Sequence, residues 1–297
     1  MAEAPKRTST LYLVATPIGN LEDISLRALR ILKEVDLIAC EDTRRTARLL
    51  NHYGIRTPRE SHHEHNEASH TRRILALLRE GKSVALVSDA GTPLLSDPGY
   101  ALVSACREAG IPVAPIPGAS ASVAALTASG LPADSFFFAG FLPSRRSLRK
   151  KRLQEIASVP ATLVFYEAPH RLLAMLEDAI EALGERRACC ARELTKVHEE
   201  WLRGTLPEIL AALRGRPQVQ GEVTIIVDRG KAASAPAPAS WPASMAEHLE
   251  AEMQRTGVSQ KDALKAIARQ RGISRREAYR QLVLSRKQLA MQSAEKS

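Results

Sequence analysis

The chain is poor in several features that would have assigned it quickly. No apolar stretch among its 297 residues approaches the ~20 that a membrane span requires. Its first ten residues, MAEAPKRTST, contain no apolar core, so a secretory signal is not expected. The four cysteines, Cys40, Cys106, Cys189 and Cys190, show no C-x-x-C spacing. Neither a zinc site nor a disulfide framework is indicated, and reduced core cysteines in a cytoplasmic protein are expected. Neither G-x-G-x-x-G nor G-x-x-x-x-G-K-[ST] occurs, which argues against a dinucleotide fold of that type and against a P-loop. HHEHNEASH (62–70) clusters histidines around a glutamate, yet no cysteine or further histidine falls at ligand spacing, so no metal is expected.

What is present describes a globular protein with a basic bias. A hydrophobic fraction of 44% and a charged fraction of 25% suit a folded chain long enough for two cores and an appendage. The net charge of +9 is unevenly spread. SRRSLRKKR (144–152) holds six basic residues and no acid, which points Arg145, Arg146, Lys150 and Lys151 towards RNA phosphate, the plain alternative being a solvated helix face. From Ser244 onward eleven basic residues stand against six acidic ones, a surplus of five. That asymmetry favours a polyanionic partner.

The first 130 residues alternate buried strands with helices, which predicts a mostly parallel sheet covered on both faces. Strands are expected at TLYLVAT, DLIACED, SVALVSD and IPVAPIPG. Helices are expected between them, the first capped by Asp23 with Leu26, Leu29, Ile31, Leu32 and Val35 as its apolar face. A second α/β domain spans 131–230, with strands in FFFAGFLP, ATLVFYEAP, RRACCARELT and GEVTIIVDRG. Residues 231–244 read as a Pro/Ala/Ser linker. Beyond it, 245–297 holds three short helices with a helix-turn-helix-like pattern, Gly257 and Gly272 standing between them. Ala263, Leu264, Ile267, Ala268, Ile273, Tyr279 and Leu282 are its expected core, and Arg275 and Arg276 its expected RNA contacts. Few aromatics lie there, so phosphate contact is favoured over base stacking.

Four loops break strands with Pro or Gly: TPIGN (16–20), SDAGTP (88–93), PGASAS (117–122) and YEAP (166–169). Loops beyond the carboxyl ends of strands are where open α/β sheets bind ligands. PGASAS leads into a helix, whose first N–H groups suit a carboxylate. A second acidic turn, SDPG (96–99), is expected to start a helix through Asp97.

The ordered series LYLVATPIGNLEDIS, CEDTR, HEHNE, VSDAGTPLLSDPG, PGASA, FFFAGFLP, YEAPHR and RELTKVHEE, over roughly residues 10–230, resembles the ribosomal RNA small-subunit methyltransferase I family. That family lies among the tetrapyrrole-methylase-like, S-adenosylmethionine-dependent enzymes. The resemblance implies two α/β domains with S-adenosylmethionine in the cleft between them, a homodimer, and 2′-O-methylation of a cytidine in the decoding region of 16S RNA. By the same resemblance Pro17, Asp89, Gly91, Gly118, Ala119, Ser120, Phe165 and Tyr166 belong to the cofactor site, and Thr195 and Lys196 to a substrate or cofactor-side loop.

Transfer of a sulfonium methyl to a ribose oxygen gains most from holding the reactants in line, and also from a base or oxyanion stabilisation. Asp42, Arg44 and Glu167, polar residues directly after strands, are the candidates for that work. Their plain alternatives are a helix cap for Asp42, a phosphate or carboxylate salt bridge for Arg44 and loop solvation for Glu167. Two competing functions use the same features: a methylase of a tetrapyrrole-like small molecule, and a non-catalytic RNA-binding assembly factor. The basic run and tail favour an RNA substrate in an assembled or nearly assembled small subunit.

Overall fold

Apolar tetrapeptides at 11–14, 37–40 and 84–87 are buried along almost their whole length, because helices cover both faces of the sheet they form. The computed structural model describes residues 9–62, 67–230, 244–271 and 273–294, apart from the side chains at 67–68, 269–270 and 287–294. The expected linker at 231–243, Gly272 and most of the histidine-rich segment (63–66) lie outside the described residues.

The first sheet contains β1 (Leu11–Val14), β2 (Leu37–Cys40), β3 (Arg59–Ser61), β4 (Val84–Val87) and β5 (Val113–Ile116). Its order is β3-β2-β4-β1-β5, and every neighbouring pair is parallel. Helices α1 (Leu26–Glu34) and α2 (Thr43–His52) pack Ile31, Leu32, Leu49 and Leu50 against Val14, Ile38, Cys40 and Val87. On the other face α3 (Glu67–Arg79) and α4 (Tyr100–Glu108) pack Ile74, Leu78 and Leu102 against Leu11, Ala39 and Leu86. The period-two alternation of each strand therefore feeds two separate cores. Two expectations fail at α1. Ser25, not Asp23, is its N-cap, accepting the Ala28 N–H, while Asp23 sits in a 3₁₀ turn (Leu21–Asp23). Leu26 projects into solvent at 86% exposure rather than joining the apolar face.

The second sheet, β6 (Phe136–Phe141), β7 (Thr162–Glu167), β8 (Arg187–Arg192), β9 (Glu200–Thr205) and β10 (Val223–Val227), has the order β6-β7-β10-β8-β9. Only β6 and β7 are parallel; the remaining pairs are antiparallel. One face carries α6 (Arg146–Ile156), α7 (Leu172–Leu183) and α8 (Leu206–Arg214), with Leu163, Phe165, Cys190 and Ile225 turned towards them. The other receives α5 (Ala121–Ala128) from the first half of the chain, against Val164, Cys189 and Ile226. Residues 9–230 thus form two lobes within one compact unit. Among the described residues no helix is long and apolar enough to cross a membrane.

The remaining helices form a unit of their own: α9 (Met245–Thr256), α10 (Gln260–Gln270) and α11 (Arg275–Ala294). Ser244 and Glu247 make a capping box at the start of α9, and Gly257 ends it with φ +67°. Met245, Leu249, Ala263, Ile267, Ala268, Ala278 and Leu282 are its core. Tyr279, expected inside, is 60% exposed; the small Ala278 packs there instead. With 20 residues, α11 is also not the short helix expected.

Candidate active site

The sheet order sets the site. β4, β1 and β5 are neighbours, so the loops that leave their carboxyl ends must meet. Thr16 and Gly91 exchange backbone hydrogen bonds of 2.9 and 3.0 Å, and the Thr16 hydroxyl donates to Ser88 O at 2.9 Å. Gly91 holds φ +91°, a conformation glycine adopts without steric cost. Gly118 lies so close to β1 that a Cβ there would stand 2.9 Å from the Ala15 Cβ. The Thr92 hydroxyl donates to Ala119 O at 3.2 Å. TPIGN, SDAGTP and PGASAS are therefore one hydrogen-bonded shelf.

Above that shelf a cavity of about 900 Å³ opens between the two lobes. Ile18, Asp42, Arg44, Arg45, Asp89, Asp97 and Ala121 line it from the first lobe, and Phe141, Tyr166, Glu167, Leu194, Glu222 and Thr224 from the second. Tyr166 and Thr224 are register partners on adjacent β7 and β10, so they share a face and form part of the floor. The Tyr166 hydroxyl accepts the Ser122 N–H at 3.2 Å, joining β7 to the first turn of α5. Its ring packs against Phe138 and Phe141 at centroid distances of 5.0 and 5.7 Å. Between the lobes the Asn20 N–H also donates to the Thr195 hydroxyl at 3.0 Å, and Gly19 fits only because it has no side chain to strike Lys196 and Thr195.

Of the expected cofactor residues, Asp89 and Tyr166 line the cavity, while Gly91, Gly118, Ala119 and Ser120 build the shelf behind it. At Pro17 the neighbouring Ile18 is the residue that reaches the cavity. Phe165 does not reach it. Strand alternation turns it to the opposite face, fully buried among Leu153, Met175 and Leu210.

The three catalytic candidates all line the cavity, but each is already engaged. Asp42 is the N-cap of α2, accepting the Arg44 N–H at 2.8 Å. That backbone bond, followed by the Arg44 side chain, holds its carboxyl below the ordinary aspartate range. Arg44 is 88% exposed and stands 3.4 Å from Asp42. Glu167 is not solvated: its side chain is fully buried, accepts the Ala168 N–H at 2.8 Å and lies 3.1 Å from Arg171.

Asp97 departs from expectation in the opposite direction. Gly99, not Asp97, caps α4, and Asp97 instead turns inward to accept a hydrogen bond from the Ser88 hydroxyl. Burial raises its carboxyl above the ordinary value against the lowering effect of Ser88, so it takes up a proton more readily than an exposed aspartate. Asp89, beside it, accepts the Asp42 N–H at 2.9 Å and has Arg45 at 3.8 Å.

The expected RNA residues separate sharply. Arg146 and Arg149 both pair with the buried Asp178 of α7, at 3.0 and 2.7 Å, and Lys150 pairs with Glu181 at 2.6 Å. Two carboxylates of the next helix thus engage three of the six basic residues, although Arg146 itself stays 66% exposed. Arg145 and Lys151 remain exposed. Lys196 bridges Glu193 and Glu222 at 2.8 and 3.1 Å. Arg275 and Arg276 are exposed in the first turn of α11. Among the described residues no cluster of His, Cys, Asp and Glu is fit to hold a metal ion.

Residues 10–210 match the family of Tetrapyrrole (Corrin/Porphyrin) Methylases. Two solved structures share the fold. A cobalt precorrin-4 methyltransferase superposes with a TM-score of 0.58 at 17% identity, covering 77% of this chain and 98% of that one. A uroporphyrin-III C-methyl transferase from Thermus thermophilus, complexed with S-adenyl homocysteine, gives 0.52 at 22% identity, covering 74% and 97%. The chain is also 49% identical over 271 residues to the ribosomal RNA small subunit methyltransferase I of Halalkalibacterium halodurans, spanning 91% of this chain and 93% of the relative. It is 50% identical over 231 residues to the protein of that name from Escherichia coli O157:H7, spanning 77% and 81%. The chain belongs to the tetrapyrrole methylase family and, within it, to the ribosomal RNA small subunit methyltransferase I group.

Proposed function

We propose that this chain uses S-adenosylmethionine to methylate the 2′-oxygen of a cytidine ribose in the decoding region of 16S ribosomal RNA. The observation that carries this reading is the cavity between the lobes, in a chain nearly half identical to relatives named for small-subunit rRNA methylation. Its volume falls in the range of cofactor-sized pockets. The donor set suits the cofactor: Asp89 offers acceptors to an ammonium or a ribose hydroxyl, Ala121 opens a helix whose N-cap side chain accepts no helix N–H, and Tyr166 adds an aromatic wall. S-adenosylmethionine supplies the electrophilic methyl on its sulfonium. The shelf of Thr16, Gly91 and Ala119 holds the site rigid, so that positioning supplies much of the acceleration. With Asp42 committed to its helix and Glu167 to Arg171, neither is our choice of base.

We further read 1–130 and 131–230 as the two catalytic domains, and 245–297 as a basic grip for RNA, joined by the linker. A tethered grip raises the local concentration of a large substrate without new cavity contacts. The acceptor is then a small subunit, assembled or nearly so, met by a homodimer in the cytoplasm. The test incubates the protein with methyl-labelled S-adenosylmethionine and small ribosomal subunits, naked 16S RNA or uroporphyrinogen. Nuclease digestion and mass spectrometry should place the label on a cytidine ribose, in subunits above naked RNA. Label on a base, or on the tetrapyrrole alone, overturns the proposal.

A further inference from the structure

The site carries a second basic surface, apart from the 144–152 run and the C-terminal helices. Helix α2 begins at the cavity wall, and Arg44 and Arg45 in its first turn both line the cavity. Their side chains are 88% and 58% exposed. Arg48 stands one turn beyond Arg44 on the same face of the helix and is also exposed. Arg59, at the start of β3, reaches back to donate its Nε to Thr43 O at 3.2 Å, which brings a fourth guanidinium to the same end of α2. The partners of the first two are loose: Arg44 lies 3.4 Å from Asp42, and Arg45 3.8 Å from Asp89. Exposed pairs of that length contribute little and exchange readily for a stronger anion.

We propose that Arg44, Arg45, Arg48 and Arg59 form the tract that grips the sugar–phosphate backbone of RNA as its target nucleotide enters the cavity. This rests on the reading of the cavity as a site of RNA methylation. A nucleotide with its ribose in the cavity must leave its flanking phosphates at the rim, and the rim on this side is α2. Guanidinium forks bind phosphate oxygens in pairs, which orients the strand as well as attracting it. Four arginines along one helix and its neighbouring strand suit a chain of phosphates better than a single small anion. The grip is independent of base identity, as backbone contacts are.

The test compares the full-length protein with Arg44→Ala/Arg48→Ala. The KM for methylation of small ribosomal subunits should rise roughly tenfold, more than kcat falls, as expected for lost phosphate contacts. Affinity for naked 16S RNA, read by fluorescence anisotropy, should fall in parallel, while Arg48→Ala alone, away from the cavity lining, should leave S-adenosylmethionine affinity as it was. Arg44→Lys/Arg48→Lys should recover part of the loss, because charge is retained but the paired fork is not. Unchanged affinity for naked RNA overturns the tract. So does a loss confined to assembled subunits, which would place ribosomal protein, not RNA, against α2. If the unaltered protein methylates no RNA at all, the proposed function fails instead, and the anisotropy comparison still decides whether α2 holds RNA.

Discussion

Helix α2 carries Arg44 and Arg45 at the edge of the cavity, with partners at 3.4 and 3.8 Å, and an exposed Arg48 one turn further on. Helix α6 carries Arg146, Arg149 and Lys150 against α7, with partners at 2.6–3.0 Å, one of them a fully buried carboxylate. In sequence the run that opens α6 is the denser in basic residues. In the fold part of that charge ties α6 to α7: Arg149 is buried against Asp178, while Arg146, 3.0 Å from the same carboxylate, stays 66% exposed. The less conspicuous arginines of α2 differ in their place: Arg44 and Arg45 line the cavity, and their ion pairs are longer. An acid-free run therefore says little about available charge unless the neighbouring helix is known. Asp178 lies in LEDAIEAL, where it reads as part of an ordinary amphipathic helix.

The comparison breaks most severely at Asp178. Replacing it with alanine leaves Arg149, only 5% exposed, without its buried counter-charge. Loss of one partner of a buried pair costs about 3–5 kcal/mol. Urea unfolding of Asp178→Ala should show a loss of that order. A variant of normal stability with raised RNA affinity would mean that the α6 charges face the substrate after all.

A smaller effect sharpens the α2 side. The depressed Asp42 carboxyl contributes to the folded state above its unfolded pKa, and that contribution is lost as pH falls through its lower folded value. Its first cause is the Arg44 backbone N–H and its second the Arg44 side chain, so Arg44→Ala removes only part of the depression. A carboxyl NMR titration should show the Asp42 midpoint below the ordinary aspartate value in the parent and higher, though still depressed, in the variant. A midpoint that does not move would separate the guanidinium from Asp42.

Much of the fold was legible because buried strands announce themselves as short apolar runs between turn residues. Both strands that escaped notice are at sheet edges. β3 is the polar RES, and β9, EWLRGT, has no fully buried residue. The shelf was legible for a different reason: TPIGN, SDAGTP and PGASAS each place Pro or Gly directly after an apolar run. The choice between Phe165 and Tyr166 was not. In TLVFYE both faces are covered, so apolar or aromatic residues fill 163–166 and the alternation that would assign a face is absent. The roles of Asp97 and Thr224 depend on chain segments folding back from elsewhere, through Ser88 and across from β7. The resemblance to a methyltransferase family located the loops well but did not distinguish residues that line the cavity from those that support it.

The most direct test of the contrast is the salt dependence of binding to 16S RNA, measured for Arg44→Ala/Arg48→Ala and for Arg145→Ala/Lys151→Ala, the exposed remainder of the α6 run. Each phosphate contact to single-stranded RNA contributes roughly 0.7 to the slope of log K against log salt. The account predicts a slope flattened by about 1.4 for the α2 variant, two such contacts, and one little changed for the α6 variant. A flattened slope for Arg145→Ala/Lys151→Ala, with the α2 variant behaving as the parent does, would contradict it.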